Sequence, residues 1–452
     1  MGPETDYSSL ESKRSQLPRG VQDRFLQEAA RRRRAEAVLR DCFARWGYQE
    51  IIPPTFEYQE NLSVGASPRL QQAMYRFFDH RGRTLALRPD FTPQVARIAA
   101  TKLLDQPLPL RCSYVGSLFR YEEPQAGRQR EFTQAGVELM GADTYAADAE
   151  IIALTIASLE ALGLTGVQVN LGQMAFFRAL TGGLEGECLE AIRDATDRKN
   201  QAALDAALAA AGNRLDAPRA EVLRRLPGLV GGEDVLEETG SLCARLDAPR
   251  AALAALDRLA RVYRQLEAYG VAGRVVLELG EVRGMDYYTG ITFRGLVPGL
   301  GWPVASGGRY DDLVAQFGRP LPAVGFGLSV GRALLAQPQE GEPALAAHLL
   351  AHTCERPTCL ALVEQLRRRG CHVQVDPLGL SSGDLAQAAR QRGIARTLVC
   401  VDNAWLLGGP EGERVVSESE LLQEAGSWVP ILPAAWPAGP LQADKESAWT
   451  IA

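Results

Sequence analysis

The amino-acid sequence predicts an α+β protein in which an antiparallel sheet is flanked by helices. Strand-like runs at 84–89, 111–120 and 131–140 follow one another through loops with Pro and Gly, a spacing typical of antiparallel rather than βαβ connections. Amphipathic helical patterns precede and follow these runs, at 24–46 and 146–162. The chain of 452 residues is too long for one ordinary domain, so two or three folding units are expected.

Changes in composition along the chain indicate where these units begin and end. Residues 1–16 are polar without apolar periodicity and are expected to form a flexible arm, followed by the sheet-containing core at 17–337. Within this core, 173–268 is rich in Ala, Leu, Arg and Glu, which predicts a mostly helical insertion. Alternating strand and helix patterns predict a small α/β domain with a partly parallel sheet at 338–429. The Pro- and Ala-rich stretch 430–452 is expected to be a loosely ordered tail.

Composition and charge argue against several classes of protein. Apolar residues make up 46% of the chain and charged residues 23%, as in globular proteins. No apolar run reaches the roughly 20 residues that span a bilayer, and the N-terminus lacks the order of a signal peptide, so a cytoplasmic protein without membrane contact is expected. The net charge of −6 counts against a large RNA-binding surface.

Cysteines and histidines predict neither a disulfide framework nor a metal centre. The eight cysteines are scattered without a CxxC pair, a pattern typical of reduced thiols. Cys354 and Cys359 lie near His352, but their spacing matches no common zinc-binding pattern. The four histidines form no cluster in the sequence. We therefore expect no bound metal and no cofactor.

The most informative stretch, residues 119–138, consists of two predicted strands joined by a loop that contains Pro124 and Gly127. Alternation places Arg120 and Glu122 on one face of the first strand. One face of the second strand carries Phe132, Gln134, Gly136 and Glu138. Such a pair could present a guanidinium, a carboxylate and an amide to one cleft, which would bind an anion at one end and a hydrogen-bonding or cationic group at the other. The alternative is a surface hairpin with a ladder of salt bridges.

Three further segments carry residues suited to a small polar ligand. Asp90 and Thr92 stand at a predicted strand-to-helix junction, where a carboxylate and a hydroxyl can bind an amino group. The run Arg283-Gly-Met-Asp-Tyr-Tyr-Thr-Gly is predicted to enter a strand at Tyr287–Gly295, with glycines on both sides of two aromatics. The runs around 305–313 and 323–332 supply glycines that let a ligand approach the backbone.

Together and in this order, these segments resemble the catalytic core of class II aminoacyl-tRNA synthetases, specifically its histidyl branch. The run Gly47-Tyr-Gln-Glu-Ile-Ile-Pro-Pro-Thr-Phe-Glu is similar to motif 1, which forms the dimer in that class. The stretch from Arg120 to Arg130 is similar to motif 2, and Gly325 to Arg332 is similar to motif 3. The runs Arg-Gly-x-Asp-Tyr-Tyr-Thr-Gly and Gly-Gly-Arg-Tyr-Asp resemble those of histidine-binding members. The resemblance implies the class II antiparallel sheet and a homodimer.

The histidyl branch contains two kinds of protein, the synthetases and the non-charging regulatory subunits of ATP phosphoribosyltransferase. The runs Arg88-Pro-Asp-Phe-Thr-Pro-Gln-Val-Ala-Arg and Gln125-Ala-Gly-Arg-Gln-Arg-Glu-Phe-Thr-Gln-Ala-Gly-Val-Glu resemble the second kind. A synthetase typically carries Glu at the position of Asp90 and His at that of Thr133. Residues 341–452 hold 13 acidic and nine basic side chains, a net charge of −4 that is unfavourable for binding RNA. The resemblance thus implies a regulatory subunit rather than an enzyme, with no tRNA bound. A histidyl-tRNA synthetase is the alternative, and a paralogue for another polar ligand is a third possibility.

By the same resemblance, the cleft would bind L-histidine. Asp90 and Thr92 would bind its α-amino group, with Gln134 beside them. Glu138 and Tyr288 would hydrogen-bond the imidazole nitrogens. The remaining histidine-binding residues would be Tyr287, packed against the ring, and Arg283, facing the carboxylate. A site that pairs both ring nitrogens rejects apolar analogues strongly, because its own polar groups would be left unpaired.

Three arginines leave the question of ATP chemistry open. Arg120, Arg128 and Arg332 stand where a synthetase would clamp phosphates, and the alternative is that they form structural ion pairs or bind another anion. Gly331 and Arg294 occupy positions where synthetases usually carry acidic residues, which weakens the case for catalysis, so no catalytic residue is expected. The implied partner is the short-form catalytic subunit of ATP phosphoribosyltransferase, in a hetero-oligomer that histidine inhibits through linkage.

Overall fold

The computed structural model describes residues 16–123, 129–282, 287–337, 347–352, 354–401, 404–410 and 412–428. The chain divides into two compact units, most of the first being Arg32–Gln337 and most of the second Pro338–Ala434. No helix among the described residues is long and apolar enough to cross a membrane. All eight cysteines are free thiols.

The part of the chain up to Gln337 alternates twelve strands with helices among the described residues. The helices are α1 (Leu26–Arg45), α2 (Gln59–Ser63), α3 (Pro68–Gln72), α4 (Thr92–Thr101), α5 (Tyr145–Ala161), α6 (Met174–Leu180), α7 (Gly186–Asp197), α8 (Gln201–Ala211), α9 (Ala217–Arg225), α10 (Asp234–Arg245), α11 (Arg250–Ala268) and α12 (Val330–Ala336). The strands are β1 (Gln49–Glu50), β2 (Phe56–Tyr58), β3 (Arg76–Phe78), β4 (Thr84–Leu87), β5 (Leu110–Phe119), β6 (Glu131–Met140), β7 (Gln168–Gln173), β8 (Val230–Gly231), β9 (Val275–Glu278), β10 (Ile291–Leu296), β11 (Ala305–Arg309) and β12 (Ala323–Ser329).

The main sheet has nine strands in the order β1-β5-β6-β12-β11-β10-β7-β9-β8. Its central strands pair antiparallel, and the parallel pairs are β1 with β5 and β7 with β9. A smaller antiparallel sheet has the order β2-β4-β3. The predicted α+β class with an antiparallel sheet is therefore confirmed.

Alternation along β6 separates the main core from the opposite face of the sheet. Ala135, Val137 and Leu139 are fully buried in the large apolar cluster that the sheet shares with α1, α5 and the helices of 173–268. The residues that alternate with them, including Gln134 and Glu138, face the other side of the sheet. That side is covered by α4 and the turns around 310–321. The helical stretch thus packs on the sheet through the same core, as part of the first unit.

The second unit contains a five-stranded sheet with helices. Its strands are β13 (Leu349–Ala351), β14 (Val373–Val375), β15 (Thr397–Val401), β16 (Ala404–Gly409) and β17 (Gly412–Val416), and its helices are α13 (Pro357–Arg368), α14 (Ser382–Gln391) and α15 (Glu418–Glu424). The strand order is β14-β13-β15-β16-β17. The first three strands are parallel and the last two antiparallel, which agrees with the partly parallel sheet that the sequence predicts.

Two sequence predictions differ from the structure. The strand predicted at Tyr287–Gly295 begins only at Ile291, so both tyrosines lie in the preceding turn. Just before the strand, Gly290 leaves room for the buried side chain of Arg309, since an added Cβ would be 2.9 Å from Arg309 Cδ. The histidines also do form a pair, since the rings of His348 and His372 stack with centroids 4.9 Å apart. Parallel pairing of β13 with β14 brings together residues that are distant in the sequence.

A buried ion pair joins the sheet to two helices. Arg309 at the end of β11 is 1% exposed and donates from Nε to Oδ1 of Asp148 in α5 over 2.7 Å. Asp148 is fully buried, and its Oδ2 accepts a second bond of 2.9 Å from Nε of Arg258 in α11. One buried carboxylate therefore joins guanidinium groups from two different elements. Without it, the buried Arg309 would keep only the more exposed Asp311 and Asp143, at 2.9 and 3.9 Å from its Nη1, as acidic partners.

We predict that Asp148→Asn lowers the free energy of unfolding by about 3 kcal/mol, because an amide cannot neutralise the buried Arg309. Denaturant unfolding followed by tryptophan fluorescence measures this change. Asp257→Asn is the matched control, since Asp257 pairs with Arg261 on the surface and its loss is expected to cost less than about 1 kcal/mol. Equal losses in the two variants would contradict the prediction.

Candidate functional site

A polar cavity lies on the face of the main sheet that points away from the large apolar core. Its volume is about 180 Å³, which suits a small ligand. It is lined by Asp90, Thr92, Arg120, Glu122, Gln129, Phe132, Gln134, Glu138, Tyr287, Tyr288, Pro303, Val304, Ser306, Tyr310, Gly325, Phe326, Gly327, Ser329 and Arg332. Strands β6, β11 and β12 form its floor, and the turn before α4 forms one wall.

The carboxyl group of Glu138 is the centre of the hydrogen bonding in this cavity. Its Oε1 accepts from Thr92 Oγ1 at 2.8 Å and from the hydroxyl of Tyr114 at 3.3 Å. Its Oε2 accepts from the hydroxyl of Tyr310. Glu138 is 1% exposed, and this burial raises its pKa to about 8. The carboxyl group is therefore mainly protonated at neutral pH and can both donate and accept hydrogen bonds.

Two glycines of β12 let the long polar side chains of β6 lie flat on the sheet. Gly325 stands opposite Glu138 in the strand register, and an added Cβ would lie 1.8 Å from Glu138 Oε2. At Gly327 an added Cβ would lie 2.3 Å from Nε2 of Gln134. The glycines of this run, which the sequence indicated as points of close approach, thus accommodate the protein's own polar groups.

Asp90 provides a second carboxylate near the aromatic wall of the cavity. Its Oδ1 accepts from the backbone N–H of Phe91 at 2.9 Å, and its Oδ2 accepts from the hydroxyl of Tyr287 at 3.1 Å. Burial raises the pKa of Tyr287 well above its ordinary value, so this hydroxyl remains a neutral donor. The Tyr287 ring meets the rings of Tyr288 and Tyr310 edge to face, with centroids 5.2 and 5.6 Å apart.

Gln134 is oriented by a tyrosine from the neighbouring strand. Its Nε2 donates to the hydroxyl of Tyr114 over 3.2 Å. The Tyr114 ring stacks on Phe91 with centroids 4.3 Å apart, so the turn before α4 fixes that ring in place. The hydroxyl of Tyr114 therefore connects the amide of Gln134 to the carboxyl group of Glu138.

Two arginines give another part of the cavity a positive charge. Arg120 donates from Nε to the carbonyl oxygen of Pro89 at 2.8 Å, and its guanidinium carbon lies 5.3 Å from the centroid of the Phe132 ring. Arg332 donates from Nη1 to the carbonyl oxygen of Pro303 at 2.7 Å. Both guanidinium groups line the cavity and could hold a carboxylate or a phosphate.

The cavity brings together most residues that the sequence predicted for the site. Those lining it are Asp90, Thr92, Gln134, Glu138, Tyr287, Tyr288, Arg120 and Arg332. Arg128 and Arg283 lie outside the described residues. The hydroxyl of Thr92, predicted to bind an amino group, donates to Glu138 in this structure. Arg294 is absent from the lining and instead forms ion pairs with Glu281 and Asp197.

Sequence reasoning missed two tyrosines that contact Glu138 directly. Tyr310 belongs to the Gly-Gly-Arg-Tyr-Asp run that resembles those of histidine-binding members. The sequence alone predicts no role for this tyrosine. Tyr114 on β5 stands opposite Gly136 on β6. Alternation along β5 could have indicated the face of the sheet on which Tyr114 lies, but not its contact with Glu138. Thr133, taken as a departure from the synthetase pattern, lies outside the cavity lining because it alternates with Gln134.

Comparisons with known proteins agree on one family. A family model described as histidyl-tRNA synthetase matches residues 20–333. The ATP phosphoribosyltransferase regulatory subunit of Moorella thermoacetica is 42% identical over 381 residues, 84% of this chain and 96% of that protein. The protein of the same name from Symbiobacterium thermophilum is 43% identical over 393 residues, 85% of this chain and 96% of its own.

Solved structures share the fold. A protein from Bacillus halodurans described as an ATP phosphoribosyltransferase regulatory subunit/histidyl-tRNA synthetase has 31% identity and a TM-score of 0.73, over 83% of this chain and 97% of that one. The histidyl-tRNA synthetase of Nostoc has 21% identity and a TM-score of 0.76, over 91% and 99% of the two chains, which shows the fold alone. This chain therefore belongs to the histidyl-tRNA synthetase-like family and, within it, to the ATP phosphoribosyltransferase regulatory subunits.

Proposed function

We propose that this chain activates a short-form ATP phosphoribosyltransferase catalytic subunit and makes that subunit sensitive to L-histidine. It would act without catalysis of its own, as a homodimer within a hetero-oligomer, and without binding tRNA. The names of its relatives support the partner, and the buried polar cavity supports the ligand. The regulated reaction would be the first step of L-histidine biosynthesis, in which ATP and phosphoribosyl pyrophosphate give phosphoribosyl-ATP.

The single observation that carries the ligand assignment is the buried carboxyl group of Glu138, which the hydroxyl groups of three other residues contact in the cavity. A neutral imidazole has one nitrogen that donates and one that accepts, and a protonated carboxyl group offers both complementary functions. The α-ammonium group would bind Asp90, and the α-carboxylate would face a guanidinium such as Arg120. Tyr287 and Tyr288 would enclose the ring.

The regulatory effect would follow from linkage between two sites. Histidine that binds one conformation of this subunit more tightly than another shifts the attached catalytic subunit toward its inhibited state. A coupling free energy of about 1–3 kcal/mol corresponds to a change of roughly 5- to 150-fold. A cytoplasmic location is part of this proposal, and the eight free cysteines support a reducing compartment.

A histidyl-tRNA synthetase is the second candidate, because Arg120 and Arg332 line the cavity and could contact ATP phosphates. Histidine-dependent exchange of pyrophosphate into ATP separates the two functions, since a subunit without adenylation activity supports no exchange.

We predict that the full-length protein forms a complex with a short-form catalytic subunit and raises its rate of phosphoribosyl-ATP formation, and that histidine suppresses this rate. Glu138→Leu should form the same complex but lose the response to histidine, because an apolar side chain offers the imidazole neither a donor nor an acceptor. Chromatography of the mixture and the absorbance of phosphoribosyl-ATP report the two effects. Glu238→Leu, on the exposed surface of α10, is the control. If no complex forms and the rate is unchanged, the proposal is wrong.

The isolated protein is expected to bind histidine, and Tyr310→Phe should weaken this binding by about tenfold or more. The substitution keeps the ring but removes the hydroxyl that fixes Glu138. Titration calorimetry measures the dissociation constant. Histidinol, which lacks the carboxylate, and phenylalanine, which lacks the ring nitrogens, serve as comparison ligands. Tyr145→Phe, an exposed tyrosine at the start of α5, should bind as the unsubstituted protein does. Unaltered affinity in Tyr310→Phe would place the ligand elsewhere.

The protonation of Glu138 predicts that the free energy of unfolding falls as the pH rises, in the absence of ligand. Its folded pKa of about 8 lies above the ordinary value of 4.5, so its stabilising contribution is complete below about pH 4.5 and is lost as the pH rises through about 8. Between about pH 5 and pH 9 the protein should lose on the order of 3 kcal/mol more than Glu138→Gln.

Denaturant unfolding at several pH values tests this difference. Glu281 also has a pKa raised by burial, to about 7, but it is present in both proteins and cancels in the comparison. Parallel pH profiles of the two proteins would show that Glu138 is charged throughout.

A further inference from the structure

Two neighbouring parallel strands of the second unit, β13 and β15, end at the same edge of the sheet. After β13 the chain passes through α13 to β14, which lies on one side of β13. It then passes through α14 to β15, which lies on the other side of β13. Both neighbours run parallel to β13, so the carboxyl ends of β13 and β15 flank a point where the strand order reverses. Open α/β sheets bind their ligands in the crevice at such a point.

Three cysteines converge at this point of the sheet. Cys354 lies in the loop after β13, Cys359 in the first turn of α13, and Cys400 near the end of β15. Their sulfur atoms all lie within 4.8 Å of one another. Cys359 is buried, whereas Cys354 and Cys400 are partly exposed, so an ion could reach the cluster from solvent.

The spacing of the three sulfur atoms is close to that required around one metal ion. With metal–sulfur bonds of about 2.3 Å, three thiolates in a trigonal arrangement have sulfur atoms about 4 Å apart. Side-chain rotations that move each sulfur atom by less than about 1 Å would therefore bring all three into contact with one ion. Thiolates are the ligands preferred by soft and borderline cations.

Positive charge lies beside the cluster. Arg356, which stands between Cys354 and Cys359 in the sequence, donates from Nη1 to Cys400 Sγ at 3.5 Å. Cys359 also lies in the first turn of α13, where the helix dipole places a partial positive charge. A guanidinium and a helix N-terminus thus offset part of the charge that three thiolates would carry.

We propose that Cys354, Cys359 and Cys400 form a binding site for one thiophilic metal ion, either Zn(II) or Cu(I). The ion would displace one proton from each thiol to the solvent, and no electron transfer is involved. Trigonal coordination by three thiolates suits Cu(I), whereas Zn(II) would take a fourth ligand such as water. The sequence did not indicate this site, because Cys354 and Cys359 alone fit no zinc spacing and only the fold adds Cys400.

The experiment uses the full-length protein, stripped of metal and fully reduced under anaerobic conditions. One arm titrates Co(II) as a spectroscopic substitute for Zn(II) and follows thiolate-to-cobalt charge-transfer absorption, with Zn(II) added in competition. The other arm titrates Cu(I) against a chromogenic Cu(I) chelator. In each arm, reaction with a thiol reagent counts the free cysteines before and after the ion is added.

We expect one ion per chain in at least one arm, together with protection of three thiols. Cys354→Ser, Cys359→Ser and Cys400→Ser should each weaken binding by at least about tenfold, because each substitution removes a thiolate ligand. Cys371→Ser is the matched control, since Cys371 is buried in the same unit and its Sγ donates to the carbonyl oxygen of Ala425, a bond that a serine can retain. Circular dichroism of every variant checks that the fold persists.

Three results would overturn the proposal. The first is binding by the folded Cys400→Ser variant with the same affinity as the unsubstituted protein. The second is ion uptake without protection of thiols. The third is absence of binding in both arms. A disulfide among these cysteines after air oxidation, detected by mass spectrometry, would then identify a redox-active pair instead.

Discussion

The buried carboxyl group of Glu138 is the feature on which the rest of the cavity depends. A carboxyl group without hydrogen-bond partners is costly to bury, so the surrounding elements must supply donors. Thr92 comes from the start of α4, Tyr114 from β5, and Tyr310 from the turn after β11. Gly325 removes the side chain that would otherwise occupy the same space. The positions of four elements around the cavity are therefore fixed by one polar group.

The same strands connect this cavity to the opposite face of the sheet. Arg309 and Tyr310 are adjacent, yet Tyr310 contacts Glu138 in the cavity while Arg309 contacts Asp148 in α5. Asp148 also pairs with Arg258 in α11, which belongs to the helical stretch predicted as an insertion. The consecutive residues Arg309 and Tyr310 therefore connect this stretch to the cavity. A ligand that alters the position of Tyr310 would act one residue away from this buried ion pair.

The sequence predicts the faces of the central strands well but not the neighbours across them. Alternation alone placed Gln134 and Glu138 on one face of β6, because the period of a strand is two residues. Their contacts with Tyr114 and Tyr310 depend on register between strands far apart in the chain, which no local pattern contains. The strand predicted across Tyr287 begins only at Ile291, because an apolar and aromatic run does not by itself show where strand pairing starts. The roles of Arg128 and Arg283 and the boundaries at 17–337 and 338–429 stay predictions.

Retained arginines cannot by themselves separate a regulatory subunit from a synthetase. Both functions need a pocket for histidine, and a guanidinium near it serves either the α-carboxylate of an amino acid or the phosphates of ATP. In this structure Arg120 also holds the carbonyl oxygen of Pro89, one residue before Asp90, and Arg332 holds that of Pro303, which lines the cavity. These bonds give both arginines a structural role that requires no nucleotide, because they fix the backbone around the cavity.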